Sequence, residues 1–282
     1  MPWRMHSALK LEGCAEVYAR RQSLSETARA RLLSLRGEPL FIADWLRTLM
    51  IHYEVEPAAL QRAVPFQLDL KDGRAFISVV AFTLNGMRPQ IASRITAWLL
   101  SPIATHHFLN VRTYVTVNGE TGIYFLAEWL SNRLSVTLGP LAFGLPYRFG
   151  RIRYDHEWNR PSANNCFSPC PLTGRVEDRK NGNVLAYVAS VPCESCFREC
   201  EPASLTEWLM ERYTAFTKFG NLRRFFRVWH QPWLQAPADV RVTGQTLLDQ
   251  NWPLFRAARI VGANFSPSLT DIWMGWPHRV RD

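Results

Sequence analysis

The sequence predicts a mainly β domain of the α+β class, with an antiparallel sheet at its core and a few flanking helices. The 282 residues are 47% apolar and 12% aromatic, so the chain can bury a sizeable core. Its 18 prolines and 15 glycines are spread along the length, which is typical of many short strands joined by turns. Most segments between the prolines and glycines alternate in polarity or are rich in β-branched and aromatic side chains.

Residues 1–37 are predicted to form a helical extension that precedes the domain at residues 38–282. Ser23 and Glu26 have capping-box spacing, which favours a helix through Thr27–Leu35. The start of the chain lacks the apolar core of a signal peptide, and no apolar run approaches the roughly 18 residues of a membrane helix. We therefore expect a cytoplasmic protein without a membrane span.

Strands and helices follow in order along the domain. The sequence predicts strands at Leu46–Val55, Arg74–Leu84, His107–Val117, Gly122–Leu130, Arg151–Trp158, Gly174–Arg179, Val184–Val191, Leu222–Trp229, Val240–Thr246 and Leu269–Met274. It predicts helices from Glu56 to a stop at Pro65, from Asn132 to Gly144, and from the capping box at Ser204 to Gly220. The last of these rests on Leu205, Trp208, Leu209 and Phe216 at helical spacing.

The segment His107–Val117 carries an unusual polar face. Asn110, Arg112 and Tyr114 alternate with aliphatic residues, so the three polar side chains share one side of the strand. That side faces either solvent or an internal cavity. A guanidinium, an amide and a phenol in line would suit a carboxylate-bearing ligand.

Whether Tyr124 and Glu128 join that face depends on the hairpin at Asn118-Gly119. A two-residue turn puts Arg112 opposite Phe125 and separates the two polar sets. A three-residue turn with a bulge puts Arg112 opposite Leu126 and unites them. The sequence leaves both alternatives open.

Five of the six cysteines are clustered between residues 166 and 200. They are Cys166, Cys170, Cys193, Cys196 and Cys200. The interpretation we favour is that these are reduced thiols, because no export signal accompanies them. A structural zinc site and a redox pair are the alternatives, so zinc is the one metal weighed and no other cofactor is expected.

Cations and aromatic residues are interleaved in the segment from Lys218 to His230, and the chain has a net charge of +9. Such a pattern can form a platform for single-stranded nucleic acid. We favour a strand whose aromatic side chains enter the core while its arginines reach solvent, because no known nucleic-acid motif accompanies it. Fingerprints of serine hydrolases, P-loop enzymes, dinucleotide-binding oxidoreductases and zincins are absent from the sequence.

Several motifs, in a fixed order over about residues 38–280, resemble the YqjF-like family of uncharacterised bacterial proteins, a domain of unknown function (DUF2071). They include Glu38-Pro-Leu-Phe-Ile-Ala-Asp-Trp45, His52-Tyr-Glu-Val-Glu-Pro57, Phe108-Leu-Asn-Val-Arg-Thr-Tyr114, Gly122-Ile-Tyr-Phe-Leu-Ala-Glu-Trp129, Phe143-Gly-Leu-Pro-Tyr147, Leu205-Thr-Glu-Trp-Leu-Met-Glu-Arg-Tyr213, His230-Gln-Pro-Trp233 and Trp273-Met-Gly-Trp-Pro-His-Arg-Val280. The cysteine cluster belongs to none of these motifs.

This family is similar in fold to acetoacetate decarboxylase, which implies a β-barrel-like core around a ligand cavity. In that enzyme a lysine after a proline forms a Schiff base with the keto acid. Here Tyr147 follows Pro146, and the next residue, Arg148, is too basic to lose a proton and attack a carbonyl. We therefore do not expect the decarboxylase mechanism.

Together these observations predict an internal site for a small, carboxylate-bearing organic ligand. Its predicted ligand-binding residues are Asn110, Arg112, Tyr114, Tyr124, Glu128, Tyr147 and Arg148. Arg112 would hold the anion, and Tyr147 and Glu128 are the candidate catalytic acids or bases. Whether the protein is an enzyme, and its oligomeric state, stay open at this point. The alternative is a non-enzymatic interaction protein that binds nucleic acid or a partner through a zinc-stapled surface.

Overall fold

The structure is a computed structural model that describes residues 24–90, 100–156, 169–191 and 197–280. The strands are β1 Phe41–Val55, β2 Gln67–Leu68, β3 Ala75–Pro89, β4 His106–Val117, β5 Glu120–Leu130, β6 Tyr147–Asp155, β7 Cys170–Asp178, β8 Val184–Val191, β9 Arg198–Glu199, β10 Thr214–Phe219, β11 Leu222–Trp229, β12 Leu234–Pro237, β13 Asp239–Gly244, β14 Arg259–Met274 and β15 His278–Arg279. The helices are α1 at residues 24–33, α2 Pro57–Ala63, α3 Arg133–Phe143, α4 Leu205–Met210 and α5 Thr246–Asn251.

Seven strands form a ring in the order β5-β10-β11-β14-β1-β3-β4, which closes because β4 also pairs with β5. The remaining long strands, β6, β7, β8 and β13, continue from β5 as an arm outside the ring. Most pairs are antiparallel, as predicted. The exception is β5, which runs parallel to β6 and to β10, so the sheet is mixed.

Two apolar cores lie on the two faces of the ring. One fills the ring interior, with Phe82, Phe108 and Phe226 among its buried side chains. The other lies between the outside of the ring and the arm, around Trp129 and Tyr187. The long ring strands are therefore buried on both faces, which accounts for their nearly continuous apolar runs.

Strand β5 divides its outer edge between two neighbours. Ile123 and Tyr124 pair with β10, whereas Glu128, Trp129 and Leu130 pair with β6. The edge changes partner between these two groups, beside the register shift that β5 makes against β4. Helix α3 bridges this fork as the crossover from β5 to β6. Asn132 caps its start and Gly144, at φ +72°, ends it, as the sequence predicts.

The predicted helix from Ser204 to Gly220 is wrong in its second half. Helix α4 ends at Met210, and Phe216 lies in β10, which forms a hairpin with β11 through the turn at Gly220. The Ser204 cap is present, and its hydroxyl accepts a hydrogen bond from the Glu207 amide. Gly220 therefore ends a strand rather than a helix.

Helix α1 docks on the ring. Its Leu32 is fully buried, and the Ser25 hydroxyl donates a 2.9 Å hydrogen bond to the His230 carbonyl. The Arg29 guanidinium lies 5.0 Å from the ring centre of Trp273. The described part of the helix, residues 24–33, overlaps the predicted Thr27–Leu35, and Ser23 lies outside the described residues. Among the described helices none is long and apolar enough to cross a membrane.

Candidate functional site

The ring encloses a cavity of about 90 Å³. Since one water needs about 10–15 Å³, this space can hold several waters or one small organic molecule. Most of its lining is apolar and comes from opposite sides of the ring, including Phe108 of β4 and Phe226 of β11. A few polar side chains interrupt this lining, as is typical of small-molecule sites: Asn110, Arg112, Glu128, Tyr147, Arg212, Thr214 and His230.

Asn110, Glu128 and Tyr147 form one polar row across three neighbouring strands. Asn110 of β4 is opposite Glu128 of β5, which in turn is opposite Tyr147 of β6. All three side chains line the cavity. Oδ1 of Asn110 and Oε2 of Glu128 are buried without a hydrogen-bond partner.

The hairpin register combines the two predicted alternatives. The turn at Asn118-Gly119 has two residues, so Arg112 is opposite Phe125. A bulge at Leu126 then shifts the rest of β5 by one residue, which turns Glu128 toward the face of Arg112. Tyr124 precedes the bulge and stays on the other face.

Arg112 is a buried cation without an ion pair. Its side chain is 5% exposed, and no carboxylate of the described residues lies within 4.0 Å of it. Nη2 donates long hydrogen bonds to the Leu209 carbonyl at 3.5 Å and to Sδ of Met50 at 3.7 Å, while Nε has no partner. Burial lowers the pKa of Arg112, although a guanidinium keeps its charge in proteins.

Burial favours the neutral forms of the two acids nearby. It raises the pKa of Glu128 well above its usual range, and the positive charge of Arg112 offsets only part of this effect. Burial and the adjacent Glu128 also raise the pKa of Tyr147. The cavity therefore combines one cation that makes no ion pair within the described residues with two groups that favour holding a proton.

Tyr114 shares the inward face of β4 but lies behind the cavity wall. Its hydroxyl donates to the Leu209 carbonyl at 3.0 Å and lies 2.5 Å from Oγ of Ser78. Ser78 in turn contacts Nδ1 of His52 at 2.7 Å. Tyr114 thus anchors a buried polar chain rather than lining the cavity.

Tyr124 and Arg148, both predicted to bind the ligand, lie on the outer face of the ring, away from the cavity. The Tyr124 ring packs against Phe66 in the outer core. The guanidinium of Arg148 lies 5.1 Å from the ring centre of Trp129 and donates a hydrogen bond to Oδ1 of Asn251. Because side chains alternate along β6, Tyr147 faces inward and its neighbour Arg148 outward.

Arg212 lines the cavity and was missed by the sequence analysis. It forms a 2.8 Å ion pair with Asp69, its Nε donates to the Trp208 carbonyl, and its guanidinium lies over Trp208. The helix predicted from Ser204 to Gly220 would have included Arg212, which in the structure follows the end of α4 at Met210. The signal available was its position in the family motif that ends at Tyr213.

Of the five clustered cysteines, Cys166, Cys193 and Cys196 lie outside the described residues, so the zinc hypothesis stays untested. Cys170 begins β7 and is half-buried, whereas Cys200 is buried with its Sγ 3.9 Å from Sδ of Met210. Within the described ranges, no three histidine, cysteine or acidic side chains are grouped to hold a metal ion.

The basic aromatic segment forms the β10–β11 hairpin. Phe226 points into the ring, while Arg223 and Arg224 donate hydrogen bonds to backbone carbonyls on the surface, at 3.2 Å and 3.1 Å. Arg227 also bonds a backbone carbonyl, that of Arg31 in α1. These contacts give the arginines a role within the fold.

The ring and its arm are the fold of acetoacetate decarboxylase-like enzymes. A solved enzyme of this kind from Sphingomonas wittichii RW1 superposes with a TM-score of 0.59 at 16% identity, over 87% of this chain and 94% of that one. The enduracididine biosynthesis enzyme MppR, solved in complex with pyruvate, superposes with a TM-score of 0.58 at 14% identity, over 88% and 92%. At such identities the likeness shows the fold.

Sequence comparison adds the family. Residues 42–261 match DUF2071, a family of uncharacterized conserved proteins. The uncharacterized protein YqjF of Bacillus subtilis (strain 168) is 30% identical over 207 residues, which are 73% of this chain and 78% of YqjF. The chain therefore belongs to the DUF2071 family, and the predicted family and fold are both confirmed.

Proposed function

We propose that the ring cavity binds a small organic molecule through a carboxylate held by Arg112. The observation that carries this proposal is the buried guanidinium, which has no carboxylate within 4.0 Å among the described residues. Burying a charge without a partner costs on the order of several kcal/mol, because the ion loses its hydration. An anionic ligand in the cavity would compensate that charge and satisfy Nε, the donor without a partner.

Asn110 and Glu128 would orient the rest of the ligand. The pKa of Glu128 is raised by burial, so its carboxyl favours the protonated form and can donate a hydrogen bond to a carbonyl or hydroxyl oxygen. Tyr147 adds a phenol on the same row. If the ligand reacts, these two groups are the proton donors or acceptors beside the carboxylate held by Arg112.

Schiff-base chemistry is not part of the proposal. None of the lysines in the described ranges lines the cavity, and Tyr147 occupies the position after Pro146. A phenol cannot form an imine with a keto acid, because imine formation needs a primary amine. The structural likeness to MppR, solved with pyruvate, makes pyruvate a sensible first probe without carrying a mechanism to this chain.

Isothermal titration with pyruvate, lactate and propanoate tests the proposal, with neutral pyruvamide as the uncharged control. We expect at least one of the acids to bind the wild type, pyruvamide to bind more weakly, and Arg112→Gln to weaken the acid by roughly tenfold or more. Arg148→Gln is the matched variant, since Arg148 lies near the same strands but outside the ring. It should leave binding within about twofold, a difference below roughly 0.5 kcal/mol.

Two results would contradict the proposal. One is that no small carboxylate binds. The other is that Arg112→Gln and Arg148→Gln bind the acid equally well.

A further inference from the structure

A second cavity of about 200 Å³ lies beside the first, beneath helix α3. The two cavities share a thin wall, and the side chains that belong to both linings are Leu84, Met87, Phe108, Leu145, Tyr147 and Met274. The Tyr147 ring lies directly on the α3 backbone at Gly139, where an added Cβ would be 2.1 Å from the ring. One layer of side chains therefore separates the two spaces.

The second cavity exposes an almost wholly apolar surface, with Ile103, Leu138 and Phe143 in its lining. Among the described residues, the polar side chains of its wall are His106, Ser135 and the shared Tyr147. Burial lowers the pKa of His106 to about 4, so the imidazole is neutral at pH 7 and adds no charge. The surface thus suits hydrocarbon, in contrast to the charged wall around Arg112.

The second cavity reaches solvent, whereas the wall around Arg112 is buried. Leu138 is 53% exposed at its rim, and Ala142 beside it is also exposed. Two of the shared wall side chains are the methionines Met87 and Met274, whose unbranched chains adapt readily to a neighbouring group.

We propose that the ligand is a carboxylic acid with an apolar tail of several carbons. The carboxylate binds Arg112 in the ring, and the tail passes Tyr147 into the second cavity beneath α3. This inference rests on the proposed function and names its substrate class: a medium-chain or aryl-substituted acid rather than a three-carbon acid.

Titration calorimetry with pyruvate, 2-oxobutanoate, 2-oxohexanoate and 2-oxooctanoate tests the inference. In the wild type, affinity should rise along the series by about fourfold for each added methylene that becomes buried. A flat series would overturn the tail site. If the series were flat but Arg112→Gln still weakened every acid about tenfold, the proposed function would stand without the tail site.

Two tryptophan variants on α3 show whether the gain comes from the second cavity. Ala142→Trp fills the cavity from its exposed rim and should abolish the dependence on chain length while leaving pyruvate affinity unchanged. Leu141→Trp is the control, because Leu141 is 69% exposed and does not line the cavity. Equal effects of the two variants would overturn the inference.

A neutral analogue tests the carboxylate anchor separately from the tail site. If 2-oxooctanamide bound as tightly as 2-oxooctanoate, the carboxylate anchor would be wrong while the tail site would stand. If no acid of the series bound, both would be wrong.

Discussion

Arg112 is the residue that we propose holds the carboxylate of the ligand. Its guanidinium is surrounded by the ring interior, and its hydrogen bonds to Met50 and Leu209 are long. A folded chain gains nothing from a lone buried cation, and such groups are typical of sites where function is retained at a cost in stability. Arg212 offers a direct contrast, because it is also buried but is paired with Asp69.

Because only Arg212 has an ion-pair partner, we expect methionine at the two positions to have different effects on the free energy of unfolding. Arg112→Met should leave the free energy of unfolding unchanged or raise it by up to about 4 kcal/mol, because an apolar chain replaces an unpaired charge. Arg212→Met should lower it by about 3–5 kcal/mol, because Asp69 is left without its partner. Urea denaturation without ligand measures both. Equal destabilisation by the two variants would show that Arg112 is already compensated.

Glu128 predicts a pH dependence of stability. Its pKa is raised in the folded state, so above the ordinary glutamate pKa of about 4.3 the unfolded chain releases a proton that the folded chain keeps. The contribution of this group to stability therefore falls as the pH rises. Glu128→Gln removes the effect, so the variant should gain stability relative to wild type between pH 5 and pH 8. A constant difference in urea denaturation across this range would contradict the raised pKa.

At the scale of elements, the sequence predicts the inward face of β4 but not the path of β5. The alternation of Asn110, Arg112 and Tyr114 and the turn at Asn118-Gly119 are local patterns, and both are present in the structure. The bulge at Leu126 depends on where β5 changes partner from β10 to β6, a long-range property. For that reason Glu128 could be placed in the cavity only by the structure.

The error over α4 has a similar cause. Leu205, Trp208 and Leu209 do lie on a helix, but Phe216 falls at a helical spacing by coincidence. The backbone after Met210 instead finds its partners in β11 and β5. Tertiary pairing overrides the local pattern, and with it the expected environment of Arg212.

Helix α3 and strand β6 meet at Gly139. This contact predicts that replacing the glycine by alanine lowers the free energy of unfolding, the reverse of the usual effect in a helix. An alanine in a helix is ordinarily favoured over glycine by up to about 1 kcal/mol. Here the added Cβ would lie 2.1 Å from the Tyr147 ring, so Gly139→Ala should instead lower the free energy of unfolding by about 1–3 kcal/mol. In a Tyr147→Ala background the same change should be stabilising. A double-mutant cycle in urea measures this, and purely additive effects would contradict the packing described.

At the scale of the whole molecule, the ring and its arm were predictable through the family resemblance rather than through local pattern. Alternation and turns indicate many strands, but the ring also needs the parallel pairing of β5 with β10, which are far apart in the chain. The positions of the inward residues follow once that closure is known. Tyr124 and Arg148 were assigned to the cavity because the sequence could not show which face each strand turns inward.

The buried histidines predict that the whole molecule loses stability in mild acid. Burial lowers the pKa of His52 to about 3 and the pKa values of His106 and His156 to about 4. As the pH falls below about 6.5, the unfolded chain protonates these side chains and the folded chain does not, so stability falls with pH. Each histidine adds a slope of up to about 1.4 kcal/mol per pH unit. Urea denaturation between pH 7.5 and pH 5 should show a shallower slope for His52→Gln, and an unchanged slope would contradict the assignment.

Locating a bound acid in a crystal structure would show whether Arg112 holds a carboxylate inside the ring. Crystals grown with 3-bromopropanoate would report the position of its bromine by anomalous scattering. We expect bromine in the ring cavity and carboxylate oxygens within about 3 Å of the Arg112 guanidinium, the distance of a charge-assisted hydrogen bond. Bromine bound elsewhere, with the Arg112 guanidinium left without an anion, would contradict the proposal.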